Sequence, residues 1–127
     1  MTDYSKLTNE QVAELLATKV MGWHIHHYGN VRHWEDKDGR FMANADVPNI
    51  RSEYPHWNPP EDLNQAVECA KSKWGTITII LTLEDYGDYQ MSGATLYDGG
   101  EKACSLIDKK PPARALCEAI LQAVEEE

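Results

Sequence analysis

Pro111 and Pro112 open a closing segment in which Leu116, Ile120, Leu121 and Val124 recur at helical spacing. The prolines suit a helix start, where the amide donors they lack go unused, and the spacing gathers four apolar side chains into one stripe. A helix with one apolar stripe has to lie on a sheet or on another helix. The rest of the chain must therefore supply such a surface.

Two earlier segments read as helices of the same kind. Thr8 and Gln11 have capping-box spacing, Val12, Leu15, Leu16 and Val20 share a face, and Gly22 is placed to end a helix over Thr8 to Met21. Further on, Asn58 is the expected cap of a second helix, with Pro59 at its first position and Glu61 three residues on. Leu63, Ala66, Val67, Ala70 and Trp74 form its expected buried stripe, and Gly75 its stop.

Between the helices the pattern changes to strands. His24, His26 and Tyr28 alternate with Ile25 and His27, Gly29-Asn30 makes a turn, and Val31 to Trp34 returns. The polar run Glu35 to Gly39 is a second turn, and Arg40 to Ala45 a third strand. Thr76 to Leu83 is the clearest strand: Ile77, Ile79, Leu81 and Leu83 point one way, threonines the other. Glu84 to Asp88 turns the chain, Tyr89 to Tyr97 pairs back, and Asp98-Gly99-Gly100 leads into Lys102 to Ile107. The order α-βββ-α-βββ-α, with short turns between strands, predicts an α+β fold with a mostly antiparallel sheet and helices packed on it.

Three segments carry a resemblance. Val12 to Trp23, ending Lys19-Val20-Met21-Gly22-Trp23, resembles the opening helix of the phage ABA-sandwich family. Trp57-Asn58-Pro59-Pro60-Glu61-Asp62-Leu63-Asn64-Gln65-Ala66 is similar to that family's middle signature, and Pro112 to Ala119 to its last helix. The resemblance implies a small phage or prophage protein with helix layers enclosing a central sheet. It brings no catalytic residues with it. The histidine-rich hairpin and the loop Asp46 to His56 lie outside its signatures.

At 127 residues, with 42% apolar and 26% charged residues, the chain fits one domain over 1–127 with a substantial core. Its 21 acids against 12 bases give a formal charge of −9, which disfavours a broad phosphate-binding face and so direct nucleic-acid binding. Cys69, Cys104 and Cys117 are widely spaced, as buried apolar residues in a reducing cytoplasm would be. No basic segment followed by an apolar core opens the sequence, and no apolar run is long enough to span a membrane, so a cytoplasmic setting is expected.

Five histidines are the main chemical feature. His24 and His26 sit two apart on a strand and share a face, and His33 lies across the hairpin, so the three are metal candidates. No cysteine or carboxylate is evident from the sequence to complete the shell, and a surface strand explains them as well. His27 and His56 are further members of the group. Asp36-Lys37-Asp38-Gly39 lacks the remaining ligands of a calcium loop and reads as a turn. Glu84, Asp85 and Asp88 read as solvated turn carboxylates, and Cys104 and Cys117 as packing residues.

Tyr28, Trp34, Tyr54 and Trp57 stand outside the helix stripes and, with Arg32, mark an expected interaction surface. These residues point to a non-enzymatic binding module without a cofactor, whose partner is a host or phage protein or a second copy of the chain. The alternative is a small-molecule binder, for instance of a nucleotide signal, with Arg32, Arg40 and Arg51 near the aromatics. A histidine-based metal enzyme ranks third.

Overall fold

The computed structural model describes residues 3–46, 53–75, 78–85, 90–98, 101–108 and 111–125. It is an α+β fold. Helices α1 (Asn9–Leu15), α2 (Leu63–Trp74) and α3 (Pro112–Glu125) alternate with strands β1 (His24–Tyr28), β2 (Val31–Glu35), β3 (Phe41–Asn44), β4 (Thr78–Asp85), β5 (Gln90–Asp98) and β6 (Glu101–Asp108). All strand pairing within these elements is antiparallel and between consecutive strands.

The described strands divide into two three-stranded sheets, β1-β2-β3 and β4-β5-β6, where the strand pattern alone suggests one. The free edge of β3 is taken by chain rather than by another strand. Asn44 pairs in parallel with His56, its amide donates to the Pro55 carbonyl at 2.9 Å, and its carbonyl accepts from the Trp57 amide at 2.9 Å. The Asn44 side chain adds a third link, donating to the Tyr54 carbonyl at 2.9 Å.

Helix α1 begins as the sequence predicts. The Thr8 hydroxyl accepts from the Gln11 amide, and the Gln11 side chain accepts from the Thr8 amide. The helix is not one plain α-helix to Met21, however. Past Leu15 it widens into a π turn over Leu16–Val20, closed by the Met21 amide on the Leu16 carbonyl at 3.0 Å. Gly22, at φ 74°, then supplies the left-handed residue that releases the chain.

The start of α2 also differs from expectation. Pro59–Glu61 forms a short 3-10 turn, Asp62 is extended, and the Asp62 carboxylate rather than Asn58 caps the helix by accepting from the Gln65 amide. Two prolines in succession allow one tight turn, and the helix proper restarts after it. Of its expected stripe Ala66 and Ala70 are buried and Val67 and Trp74 partly so, Cys69 is buried beside them, and Leu63, the first helical residue, is 39% exposed.

Helix α3 shows the largest difference. Every residue from Ala113 to Leu121 is buried, so the helix has no solvent face over that stretch. It packs on β4, β5 and β6 and also on α1, α2, the 3-10 turn and the opening segment. Alanines at 113, 115, 119 and 123 let these neighbours come close, while Leu116, Ile120 and Leu121 fill the centre. Each such apolar side chain contributes about 1.5–3 kcal/mol by leaving water. The core they anchor is continuous from Tyr4 to Ala123.

Two polar residues of α3 are inside that core. Arg114 donates to the Glu118 carboxylate at 2.7 Å, to the Asn9 side chain at 2.8 Å, and to the Tyr4 and Leu7 carbonyls at 2.8 and 2.7 Å. One guanidinium thus ties α3 to the opening segment and to the start of α1.

Candidate functional site

The hairpin of β1 and β2 has two chemically distinct faces, and pairing register assigns its residues to them. His24 lies opposite Glu35, Ile25 opposite Trp34, His26 opposite His33, His27 opposite Arg32 and Tyr28 opposite Val31. Directly opposed residues in an antiparallel pair share a face, and alternate residues along a strand do too. His24, His26, His33 and Glu35 therefore stand together on one side. Ile25, His27, Arg32 and Trp34 stand on the other.

The second side looks into a cleft of about 310 Å³ shared with α1 and with the segment around Trp57. Arg32 is its hub. Asp46 accepts from the Arg32 backbone amide at 2.8 Å and from its guanidinium at 2.9 and 3.2 Å, and the Ala45 amide donates to the Arg32 carbonyl at 3.1 Å. Glu10 and Glu14 approach the same guanidinium at 3.5 and 3.8 Å. The Asp46 hydrogen bond raises the pKa of Arg32, and the same bond holds the Asp46 carboxyl below its usual range.

Glu61 lines the cleft as well, its carboxylate accepting from the Asn9 and Asn58 side chains, so four carboxylates, one arginine and His56 share the lining. Indoles complete it. Trp57 donates from Nε1 to the Ala13 carbonyl at 2.9 Å, near the place where α1 begins to widen, and meets Trp23 edge-on with ring centroids 4.7 Å apart. Its segment is held from the α2 side by Gln65, which accepts from the Asn58 amide at 2.7 Å and donates to the His56 carbonyl at 2.9 Å.

On the opposite face three imidazoles converge on Glu35. His33 Nε2 lies 2.7 Å from one carboxylate oxygen, His26 Nδ1 3.8 Å from the same oxygen, and His24 Nε2 3.5 Å from the other. His33 is buried, stacked on Phe41 at 4.4 Å, and its Nδ1 has no hydrogen-bond partner among the described residues. The bond from His33 holds the Glu35 carboxyl below its usual 4.5. A lowered carboxyl stabilises the fold fully above that usual value, and the benefit is lost as pH falls through the lowered one. Urea unfolding across the acid range should therefore show a stability loss that Glu35→Gln removes. An unchanged acid slope in that variant would sink the assignment.

Of the residues expected at an interaction surface, the cleft brings together Arg32, Trp34 and Trp57. The two tryptophans are core residues, 4% and 6% exposed, and not the freely exposed aromatics the sequence suggested. Their rings are large enough to belong to the core and still reach a cleft wall. Tyr28 is 70% exposed at the hairpin tip, away from the cleft, and Tyr54 packs against Phe41 at 4.5 Å. Arg40 sits in the Asp36–Arg40 turn, and Arg51 lies outside the described residues.

Among the histidines His24, His26 and His27 are exposed as expected of a surface strand, whereas His33 is buried because β3 and Phe41 cover it. The carboxylate thought to be missing beside them is Glu35, which extends β2 by one residue instead of starting the turn. The signal was in the register. A two-residue turn at Gly29-Asn30 pairs Tyr28 with Val31, and counting outward puts Glu35 opposite His24. Asp46, Glu10 and Glu14 carry no comparable local signal.

The other candidates are occupied structurally. The Asp36 carboxylate accepts from the Asp38 and Arg40 amides, each at 2.9 Å, and the Arg40 bond chiefly holds its pKa down. Glu84 and Asp85 belong to β4 rather than to a turn, and Asp88 lies outside the described residues. Burial pushes the Cys69 thiol up to about 12 and the Cys117 thiol well above its usual value, which makes both poor nucleophiles. Cys104 falls within β6. No helix among the described residues is long and apolar enough to cross a membrane. No family model matches the chain, and no curated protein or solved structure is significantly similar to it.

Proposed function

We propose that the protein is a non-enzymatic binding module whose cleft between α1 and β2 receives a cationic group, such as a lysine or arginine side chain of a protein partner. One observation carries this reading: Glu10, Glu14, Asp46 and Glu61 outnumber Arg32 in a cleft walled by Trp34 and Trp57. Glu10 and Glu14 hold Arg32 only at 3.5 and 3.8 Å, so an incoming cation can share them. Trp34 and Trp57, which reach the wall from the core, add apolar lining for the stem of such a side chain.

A nucleotide signal is less well supported. Arg32 is the cleft's arginine, and Asp46 already holds its guanidinium through two nitrogens. The resemblance to the phage ABA-sandwich family accords with a small accessory protein in the host cytoplasm, with helix layers about a sheet and a host, phage or identical chain as partner.

Titration with a short lysine-rich peptide, followed by NMR, tests the reading. The peptide should move the indole signals of Trp34 and Trp57, weaken with added salt, and lose about three- to tenfold in affinity in the Glu10→Gln, Glu14→Gln double variant. Preference for a glutamate-rich peptide, or indifference to the double variant, would contradict it.

A further inference from the structure

We propose that the hairpin face opposite the cleft is a site for one divalent transition-metal ion of the zinc class, held by His24, His26, His33 and Glu35. The site is independent of the cleft, since the two use opposite faces of β1 and β2.

Backbone register makes the first case. With His24 across from Glu35 and His26 across from His33, four ligand-type side chains form a two-by-two square on one face. Opposed Cβ atoms in such a pair are about 4.5–5.5 Å apart, a span that imidazole and carboxylate side chains close around a single ion.

Donor positions make the second. A tetrahedral shell with bonds of about 2.0–2.2 Å separates its donor atoms by roughly 3.3–3.6 Å. The His24 and His26 nitrogens lie 3.5 and 3.8 Å from the two different oxygens of Glu35, close to that spacing, and the 2.7 Å His33 bond has to lengthen. Among the described residues no three of these donors already surround one point, so the rings must turn. His24 and His26 side chains are 54% and 53% exposed and have room to do so. His33 is the fixed post, 7% exposed and stacked on Phe41. Its Nε2, already turned to Glu35, is the nitrogen it would offer the ion.

Donor chemistry selects the metal. Three imidazoles and one carboxylate suit zinc, cobalt, nickel or copper, whereas calcium and magnesium favour all-oxygen shells. Imidazoles bind metal only when neutral, so protons compete with the ion for these nitrogens.

The test uses the full, untagged chain, stripped with a chelator and titrated with Co²⁺ alone, then with Zn²⁺ to displace it. One equivalent should bind, with visible absorption bands that zinc abolishes. His24→Ala and His26→Ala should each weaken binding about tenfold or more, with circular dichroism confirming the fold. His27→Ala, on the other face, should leave it unchanged. Absence of saturable one-equivalent binding overturns the proposal. So does binding that survives loss of His24 and His26, or that suffers equally from loss of His27.

Discussion

Arg114→Ala should lower the unfolding free energy by about 3–5 kcal/mol, the usual cost of removing one partner from a buried ion pair. The guanidinium donates to the Glu118 carboxylate, the Asn9 side chain and the Tyr4 and Leu7 carbonyls. Truncation leaves a buried carboxylate facing a cavity and removes the donor that both carbonyls use here. Lysine is no substitute, because its single ammonium cannot span a fork that reaches α3, α1 and the opening segment together. Urea unfolding at neutral pH measures the loss. A cost under about 1 kcal/mol, the range of exposed pairs, would show that the pair is hydrated after all.

Trp57→Ala should cost a similar amount, about 3–5 kcal/mol, for a different reason. The indole fills core space beside Trp23, and its N–H links the loop after β3 to the Ala13 carbonyl of α1. Trp57→Phe separates the two contributions. It keeps most of the buried ring and forfeits the hydrogen bond, so it should cost about 1–3 kcal/mol. Equal losses in the two variants would mean that packing counts for little at this position. The residue matters to the cleft too, since the segment it anchors carries His56, Asn58 and Glu61 along the wall.

Much of this fold is legible from side-chain period and turn chemistry. The Thr8–Gln11 cap, the hairpin at Gly29-Asn30 and the stops at Gly22 and Gly75 follow from local physics and stand where such physics puts them. What local pattern misses is decided at long range. The stripe of Leu116, Ile120, Leu121 and Val124 predicts one buried face, yet Arg114 and Glu118 on other faces are buried as well, because each neutralises the other. Asn58 looks like a helix cap until the proline pair uses it for a separate turn and Asp62 takes over. The candidate sites divide similarly. The histidine quartet follows from counting along a hairpin, whereas Asp46 reaches Arg32 across a separation in sequence that no spacing rule marks.

The central place of α3 has a kinetic consequence. The hairpins of both sheets close over short stretches and can form early, but the core they enclose needs a helix whose Arg114 meets Tyr4 at a separation of 110 residues. Contacts that distant impose a large loop-closure entropy before any of their energy is gained. Completion of the core then waits on the arrival of α3, and until it arrives the apolar surface that it covers is open to association with other chains.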